Sequence, residues 1–343
     1  MSDWLTTARK IEALEDIPLD PALVAELESA RQRHGAKLLN LHVPGFKTCG
    51  LDAAAGCGKD SWPAISITGG DCKLQCDHCK GKILAPMIPA RSPAALWRVV
   101  NEKIGRGAQG MLLTGGSNHR NEVEYDCYYP TLRRIKDAFP QFRIALHTAL
   151  ADRDTAQRMA DSGIDTAMMD IIGAQDTITQ VYHLKRSVDD FERALENLVA
   201  SGMQVVPHIV IGLHYGKLLG EWNALAMLQR HPGAALVLVV AMPFYATPER
   251  PFCTPDSAAA GRFFLAARAA LPDMPLLLGC ARPPGRAKMA IESYAVMAGL
   301  DGLAHPSDGM AELATRLGRT MRVAPSCCSI ASAFPNLSIE IPT

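Results

Sequence analysis

From Pro63 onward, short apolar, β-branched runs alternate with amphipathic stretches. The apolar runs are residues 64–68, 110–114, 143–148, 166–172, 204–213, 235–242, 275–280 and 302–305, and each reads as a strand. Helical periodicity fills the gaps, as at 94–104, 154–162, 188–201, 219–230, 256–270 and 286–298. Strands that alternate with helices pair in parallel and cross over right-handed. Eight such strands predict an α/β fold, a (β/α) TIM-type barrel, full or nearly closed. An open doubly wound sheet would carry a glycine-rich dinucleotide turn after its first strand, and none is present. Before the barrel, residues 21–35 read as an amphipathic helix with Leu23, Val24 and Leu27 on one side and Gly35 as its stop. Residues 45–62 are rich in Gly and Ala and read as a loop. The pattern divides the chain into a helix-and-loop extension (1–62), a barrel (63–318) and a C-terminal tail (319–343).

Composition narrows the function. The 343 residues are 48% hydrophobic, enough for a large core, and 35 basic residues balance 35 acidic ones. No basic field gathers nucleic acid, no window has the length of a membrane span, and the N-terminus lacks a charged-then-apolar leader pattern. The expectation is a soluble, cytoplasmic protein without nucleic-acid or membrane partners. Ten cysteines then require a reason. Disulfide scaffolds belong to short secreted chains, whereas clustered cysteines in a reducing compartment hold metals or perform redox chemistry.

Spacing decides between these. The first strand runs into Gly69-Gly70-Asp71, followed by Cys72, Cys76 and Cys79 in the pattern C-x3-C-x2-C. Thiolates are soft, strong ligands for iron. Three of them in one loop can grip three corners of a four-iron cluster and leave the fourth iron open. A structural zinc site wants four ligands, usually as two separated pairs, and His78 lies awkwardly between Cys76 and Cys79 to serve as the fourth. A thioredoxin-like pair needs no third cysteine. The loop leaves a strand at the barrel end where active sites of this architecture lie.

This loop resembles the signature of the radical S-adenosylmethionine (SAM) superfamily. The resemblance implies a [4Fe-4S] cluster on Cys72, Cys76 and Cys79, whose open iron chelates SAM. Reductive cleavage then yields a 5′-deoxyadenosyl radical, with the cofactor carrying the hard chemistry. In the family the residue before the last cysteine is commonly aromatic; His78 stands there and either covers the adenine or simply shields the cluster. Gly115 and Gly116, after the second strand, match the segment whose backbone receives the SAM amino group, whereas Ser117 departs from the acidic residue often found next. Asp170, the charged residue in an apolar fourth strand, reads as a contact to ribose or substrate, or as half of a structural ion pair. His147 and His208 read as satisfied core histidines, and residues 211–213 as a stretch passing the adenine.

The remaining cysteines suggest a second, auxiliary [4Fe-4S] cluster. Cys49 and Cys57 lie in the N-terminal loop and Cys327 and Cys328 in the tail, with Cys280 as a rival ligand beside Arg282 on the barrel rim. Buried free thiols are the alternative, and Cys127 and Cys253 read only as core or surface thiols. The cysteine loops, residues 71–82, 113–118, 147–150, 170–174, 181–184, 279–283 and 326–328 together resemble the two-component, archaeal-type lipoyl synthases, related in layout to biotin synthase and methylornithine synthase. That resemblance implies a sulfurtransferase that inserts sulfur into an octanoyl chain on a lipoyl-carrier protein. It also implies a related radical SAM partner and an electron donor such as ferredoxin or flavodoxin. Tyr182 and His183 would then face the substrate or pack the loop. A radical SAM mutase or biotin synthase-like enzyme, and a non-catalytic iron–sulfur or zinc scaffold, remain as alternatives.

Overall fold

The computed structural model describes residues 17, 19–34, 37–44, 60–242, 249, 251–331 and 339–341. Its strands are β1 (Leu38–His42), β2 (Ala64–Ser66), β3 (Ile88–Pro89), β4 (Gly110–Thr114), β5 (Arg143–His147), β6 (Thr166–Asp170), β7 (Gln204–Ile211), β8 (Leu236–Val240), β9 (Leu276–Leu278), β10 (Gly302–Ala304), β11 (Thr320–Ala324) and β12 (Ile339–Ile341). The helices are α1 (Pro21–His34), α2 (Pro93–Gly105), α3 (Tyr129–Ala138), α4 (Arg153–Asp161), α5 (Gln175–Gln180), α6 (Val188–Ala200), α7 (Glu221–Arg230), α8 (Ser257–Ala270), α9 (Arg286–Met297), α10 (Met310–Arg316) and α11 (Cys328–Ala331). None of the described helices is long and apolar enough to cross a membrane.

All strands join one sheet in the order β12-β11-β1-β10-β9-β8-β7-β6-β5-β4-β2-β3. Every pairing is parallel except β11 with β12. Parallel strands are covered on both faces, which is why β8 is the unbroken apolar run Leu-Val-Leu-Val-Val, buried throughout. Side chains alternate between the faces. Ala145, Met168, Val206, Val237, Leu277 and Ala304, from six successive strands, converge on one inner cluster. Their neighbours Ile144, Ala167, Val205, Leu236 and Leu278 face outward into the larger core beneath the helices.

The inner cluster exists because the sheet curls. Helix α11 touches both β6 and β10, strands that a flat sheet would separate by about 19 Å at ~4.8 Å per step. The fold is thus a curled, TIM-type partial barrel, open between its β3 and β12 ends among the described residues. All eight expected strands are present. Strands β1 and β11, from the segments read as extension and tail, lie within the same sheet and pair with each other from Leu38↔Thr320 to His42↔Ala324. The chain leaving β11 therefore delivers Cys327 and Cys328 into the barrel. At the opposite end Trp62 plugs the interior, and its ring approaches Gly110 so closely that a β-carbon there would lie 2.3 Å from it. The outer helices start on local signals, such as the Ser187–Asp190 capping box of α6 and the Asp152 cap of α4.

One reading from sequence is corrected here. Arg282 does not sit on the rim; it is fully buried and ion-paired with Glu292 at 2.5 Å. Its guanidinium also donates to the carbonyls of Gly279, Ala304 and His305, while Glu292 accepts from the Ser307 N–H at 2.8 Å. The pair ties the ends of β9 and β10 to α9. Glu292→Ala leaves a buried, unpaired cation and should cost about 3–5 kcal/mol, read as a fall in the urea midpoint. A pH effect follows from His42, which burial holds down from 6.5 to about 4. Between those values the unfolded chain takes up a proton that the native ring refuses, so stability falls as the pH drops through that window. His42→Asn should flatten the loss of urea midpoint between pH 7 and pH 4.5.

Candidate active site

Strand β2 delivers the cysteine loop to the C-terminal end of the barrel. The loop folds on itself through Lys80 N–H donating to Cys76 O at 2.8 Å and the Gln75 amide donating to Cys72 O at 2.5 Å. Gln75, Lys80 and Gly81 take left-handed φ values of 52°, 48° and 69°, the sharp bends that turn three cysteines toward one volume. Two further elements clamp it. Lys73 N–H donates to Ser117 O at 3.0 Å, and Asp77 N–H donates to Val181 O at 2.9 Å. The second clamp includes a carboxylate that sequence reasoning missed. Asp77 is 3% exposed and accepts from Tyr215 Oη at 2.9 Å and His183 Nε2 at 3.1 Å. Its position within the motif was visible, but its partners lie more than a hundred residues downstream.

Two of the thiols, those of Cys76 and Cys79, sit in a setting hostile to ionisation. Cys76 is buried, and burial together with the neighbouring Cys79 and Cys72 pushes its thiol far up. Burial likewise pushes Cys79 up to about 11, with the Gly81 backbone opposing. His78 lies over Tyr182, ring centroids 5.1 Å apart, and burial holds its imidazole below the ordinary value. Tyr182 therefore packs the loop, and so does His183 through Asp77. Gly116 lies against the same loop: its N–H donates to Thr68 Oγ1 at 2.8 Å, and a β-carbon there would fall 2.0 Å from Asp71 O and 2.6 Å from Cys72 Cα. Ser117 contributes its carbonyl, which accepts from Lys73 N–H and from Cys72 Sγ–H at 3.8 Å. Gly115 abuts Ile67 and Val123.

Below the loop, inward positions at the ends of β5 and β6 and within β7 hold His147, Asp170 and His208. Register explains the grouping, since Met168 pairs with His147 and Asp170 pairs with His208. His147 Nε2 is 3.6 Å from Asp170 Oδ1, and the two imidazoles meet edge-on at 5.5 Å. Burial opposes ionisation of Asp170, but His147 and the charges of His147, His208 and His78 outweigh it and hold the carboxyl at about 2. Burial also opposes charging of His147, yet Asp170 raises it, whereas burial and His147 push His208 down to about 4. The structure thus gives Asp170 the ion pair anticipated as one of its readings. His147 and His208 are not isolated core histidines; they form a polar layer facing the lumen.

The other cysteines divide. Cys327, Cys328 and Cys280 all pack against the inner cluster. A hydrogen bond from Cys328 lowers the Cys327 thiol to about 7, with Ser329 and His147 assisting, and raises Cys328, which also feels Cys280. Cys127 and Cys253 are exposed. Cys49 and Cys57 lie outside the described residues.

Residues 66–219 match the model of the radical SAM superfamily. The matched stretch, under half of the chain, is similar to a radical SAM domain. Among solved structures, a methylornithine synthase (PylB) is 13% identical, aligns over 84% of this chain and 78% of its own, and gives a TM-score of 0.54. The [FeFe]-hydrogenase maturase HydG aligns over 97% of this chain and 77% of its own at 10% identity, TM-score 0.59. HydG from Carboxydothermus hydrogenoformans aligns over 92% and 79% at 12% identity, TM-score 0.55. At these identities the likeness is one of fold. No curated protein sequence matches the chain.

The matched family model implies a [4Fe-4S] cluster and SAM, and the residues present fit a cluster. Cys76 and Cys79, whose thiols burial and the neighbouring cysteines push up, need a cationic metal to become thiolates. Beside them, His78 Nδ1 and Tyr182 Oη are buried without a hydrogen-bond partner. Thiolates on one tetrahedral ion would stand about 3.8 Å apart. The one set of three metal-competent donors mutually within 4.8 Å among the described residues is not this triplet, which suits a cluster giving each sulfur its own iron. Gly116→Ala would force Asp71 and Cys72 apart. Iron and sulfide bound after anaerobic reconstitution should fall at least about tenfold, with the far-UV circular dichroism unchanged.

Proposed function

We propose that this chain cleaves SAM at a cluster held by Cys72, Cys76 and Cys79, and uses the resulting radical to insert sulfur at unactivated carbons of a protein-bound octanoyl chain. The observation that carries the first part is the cysteine triplet, with Cys76 buried and Cys72 and Cys79 partly buried, at the C-terminal mouth of a partial barrel, within residues matching the superfamily model. When bound, the cluster and SAM supply one-electron cleavage of the sulfonium and a hydrogen-abstracting radical. The chain's own part is to hold and shield. Asp77, anchored by Tyr215 and His183, fixes the loop. Gly116 and Ser117 bring a second loop against Cys72, in the place where backbone groups would receive the amino group of SAM. His78 and Tyr182 present ring faces that exclude water from the thiols.

The sulfur-inserting part rests on the resemblance to split lipoyl synthases and on Cys280, Cys327 and Cys328 projecting into the same lumen. Carbons without an acid–base handle need a radical, and a second cluster in reach of the substrate is a source of sulfur. Cys327, with its thiol held near 7, is the readiest of the three to ligate metal near neutral pH. A related radical SAM partner and a reductant such as ferredoxin or flavodoxin complete the proposal.

The test is anaerobic reconstitution followed by incubation with SAM, dithionite and an octanoyl-lysyl peptide. The wild-type chain should bind about eight irons, two four-iron clusters, release 5′-deoxyadenosine and give a sulfur-bearing peptide by mass spectrometry. Cys76→Ala should abolish 5′-deoxyadenosine release. Cys327→Ala should keep that release and lose sulfur transfer. Full SAM cleavage by Cys76→Ala would refute the first part, and binding of only four irons by the wild type would refute the second.

A further inference from the structure

The layer of His147, Asp170 and His208 is not accounted for by the cysteine cluster or by SAM. One nitrogen from each histidine and one carboxylate oxygen lie within 4.8 Å of one another. Two imidazoles and a carboxylate are the donor set of mononuclear sites for first-row divalent cations that keep coordination positions open. The layer has the other attributes of such a site. His208 Nδ1 lies 3.1 Å from Val206 O, which fixes Nδ1–H as the donor and leaves Nε2 as the nitrogen that carries a lone pair, the orienting bond that metal-binding histidines carry. His147 and Asp170 are about a third exposed (32% and 30% of their side chains), so a cation can enter from the barrel mouth. The three side chains stand on adjacent parallel strands rather than on loops, which fixes their spacing through backbone register.

We propose that His147, Asp170 and His208 bind one divalent first-row transition cation inside the barrel, between the cysteine loop and Cys327. Metal–ligand bonds of about 2.0–2.2 Å put ligand atoms about 3.0–3.4 Å apart. The His147–Asp170 separation of 3.6 Å is nearly that already, so closure needs only small rotations of the side chains. The ion takes two histidine nitrogens and one carboxylate oxygen from the protein and keeps its remaining positions for water or for an anionic or sulfur-bearing group of the substrate. Asp170 is thereby assigned to a cation rather than to the ribose of SAM. The assignment goes beyond the cluster and stands whether or not sulfur insertion is the reaction.

Cobalt(II) is the probe, added anaerobically to the full-length chain carrying Cys72→Ser, Cys76→Ser and Cys79→Ser. The expected result is one cobalt per chain, with weak visible ligand-field bands and no intense near-ultraviolet thiolate band. Adding Asp170→Asn or His208→Gln should each weaken binding by about 100-fold or more, beyond the loss typical of an outer-shell change, while circular dichroism and thermal midpoint report the fold. Two separate variants keep the comparison valid if one of them misfolds. Absence of stoichiometric cobalt, a spectrum dominated by thiolate bands, or binding indifferent to both substitutions in folded protein would overturn the assignment.

Discussion

Two thiols of one loop, Cys76 buried and Cys79 partly so, resist ionisation in a low-dielectric setting until a cation joins them. Burial and mutual repulsion push Cys76 and Cys79 upward, and the surrounding structure keeps them in place regardless. Tyr215, His183 and the Val181 carbonyl hold Asp77, and Ser117 holds Lys73 and Cys72. The loop therefore keeps these two thiols protonated until a metal displaces the protons. That constraint links the sequence motif to the proposed function: the contacts that hold the loop in place would present its thiols to a metal.

The barrel supplies the setting. Strand alternation sends every second side chain inward, and curling brings those side chains from different strands onto one axis. At the lower end the inward residues are apolar and plugged by Trp62. Toward the C-terminal side they become polar, with His147 and Asp170 ending β5 and β6 and His208 within β7 in one layer. The chain leaving β11 then inserts α11 between β6 and β10, placing Cys327 beside His147 and Cys328 near Cys280. The buried Arg282–Glu292 pair braces the strand ends from which Cys280 projects. Lumen chemistry is thus layered: an apolar base, a histidine–carboxylate tier, flanking thiols, and the cysteine loop at the mouth.

Much of this was legible in the chain. Helix-separated apolar runs gave all eight barrel strands, because parallel strands covered on both faces need continuous apolar stretches. The cysteine triplet and Gly115-Gly116 were legible because their spacing is local and their chemistry is carried within a few residues. Strands β1 and β11 were not recognised. Each is five residues long and mixes polar with apolar positions, and the two pair with each other across most of the length of the chain. Arg282 was misplaced for a related reason: an arginine after a strand reads as a rim residue unless its buried partner, Glu292 on the next helix, is known. The grouping of His147 with Asp170 and His208 was invisible because it depends on register between strands, which spacing along the chain does not encode.

The most direct measurement is low-temperature electron paramagnetic resonance of the anaerobically reconstituted, dithionite-reduced chain, recorded with and without SAM. An iron held by Cys72, Cys76 and Cys79 with one corner open should give a reduced four-iron signal whose g-values shift when SAM is added. A cluster signal that SAM leaves unchanged, or no cluster signal at all, would contradict the claim that these three thiolates hold an iron site with a vacant position for the sulfonium cofactor.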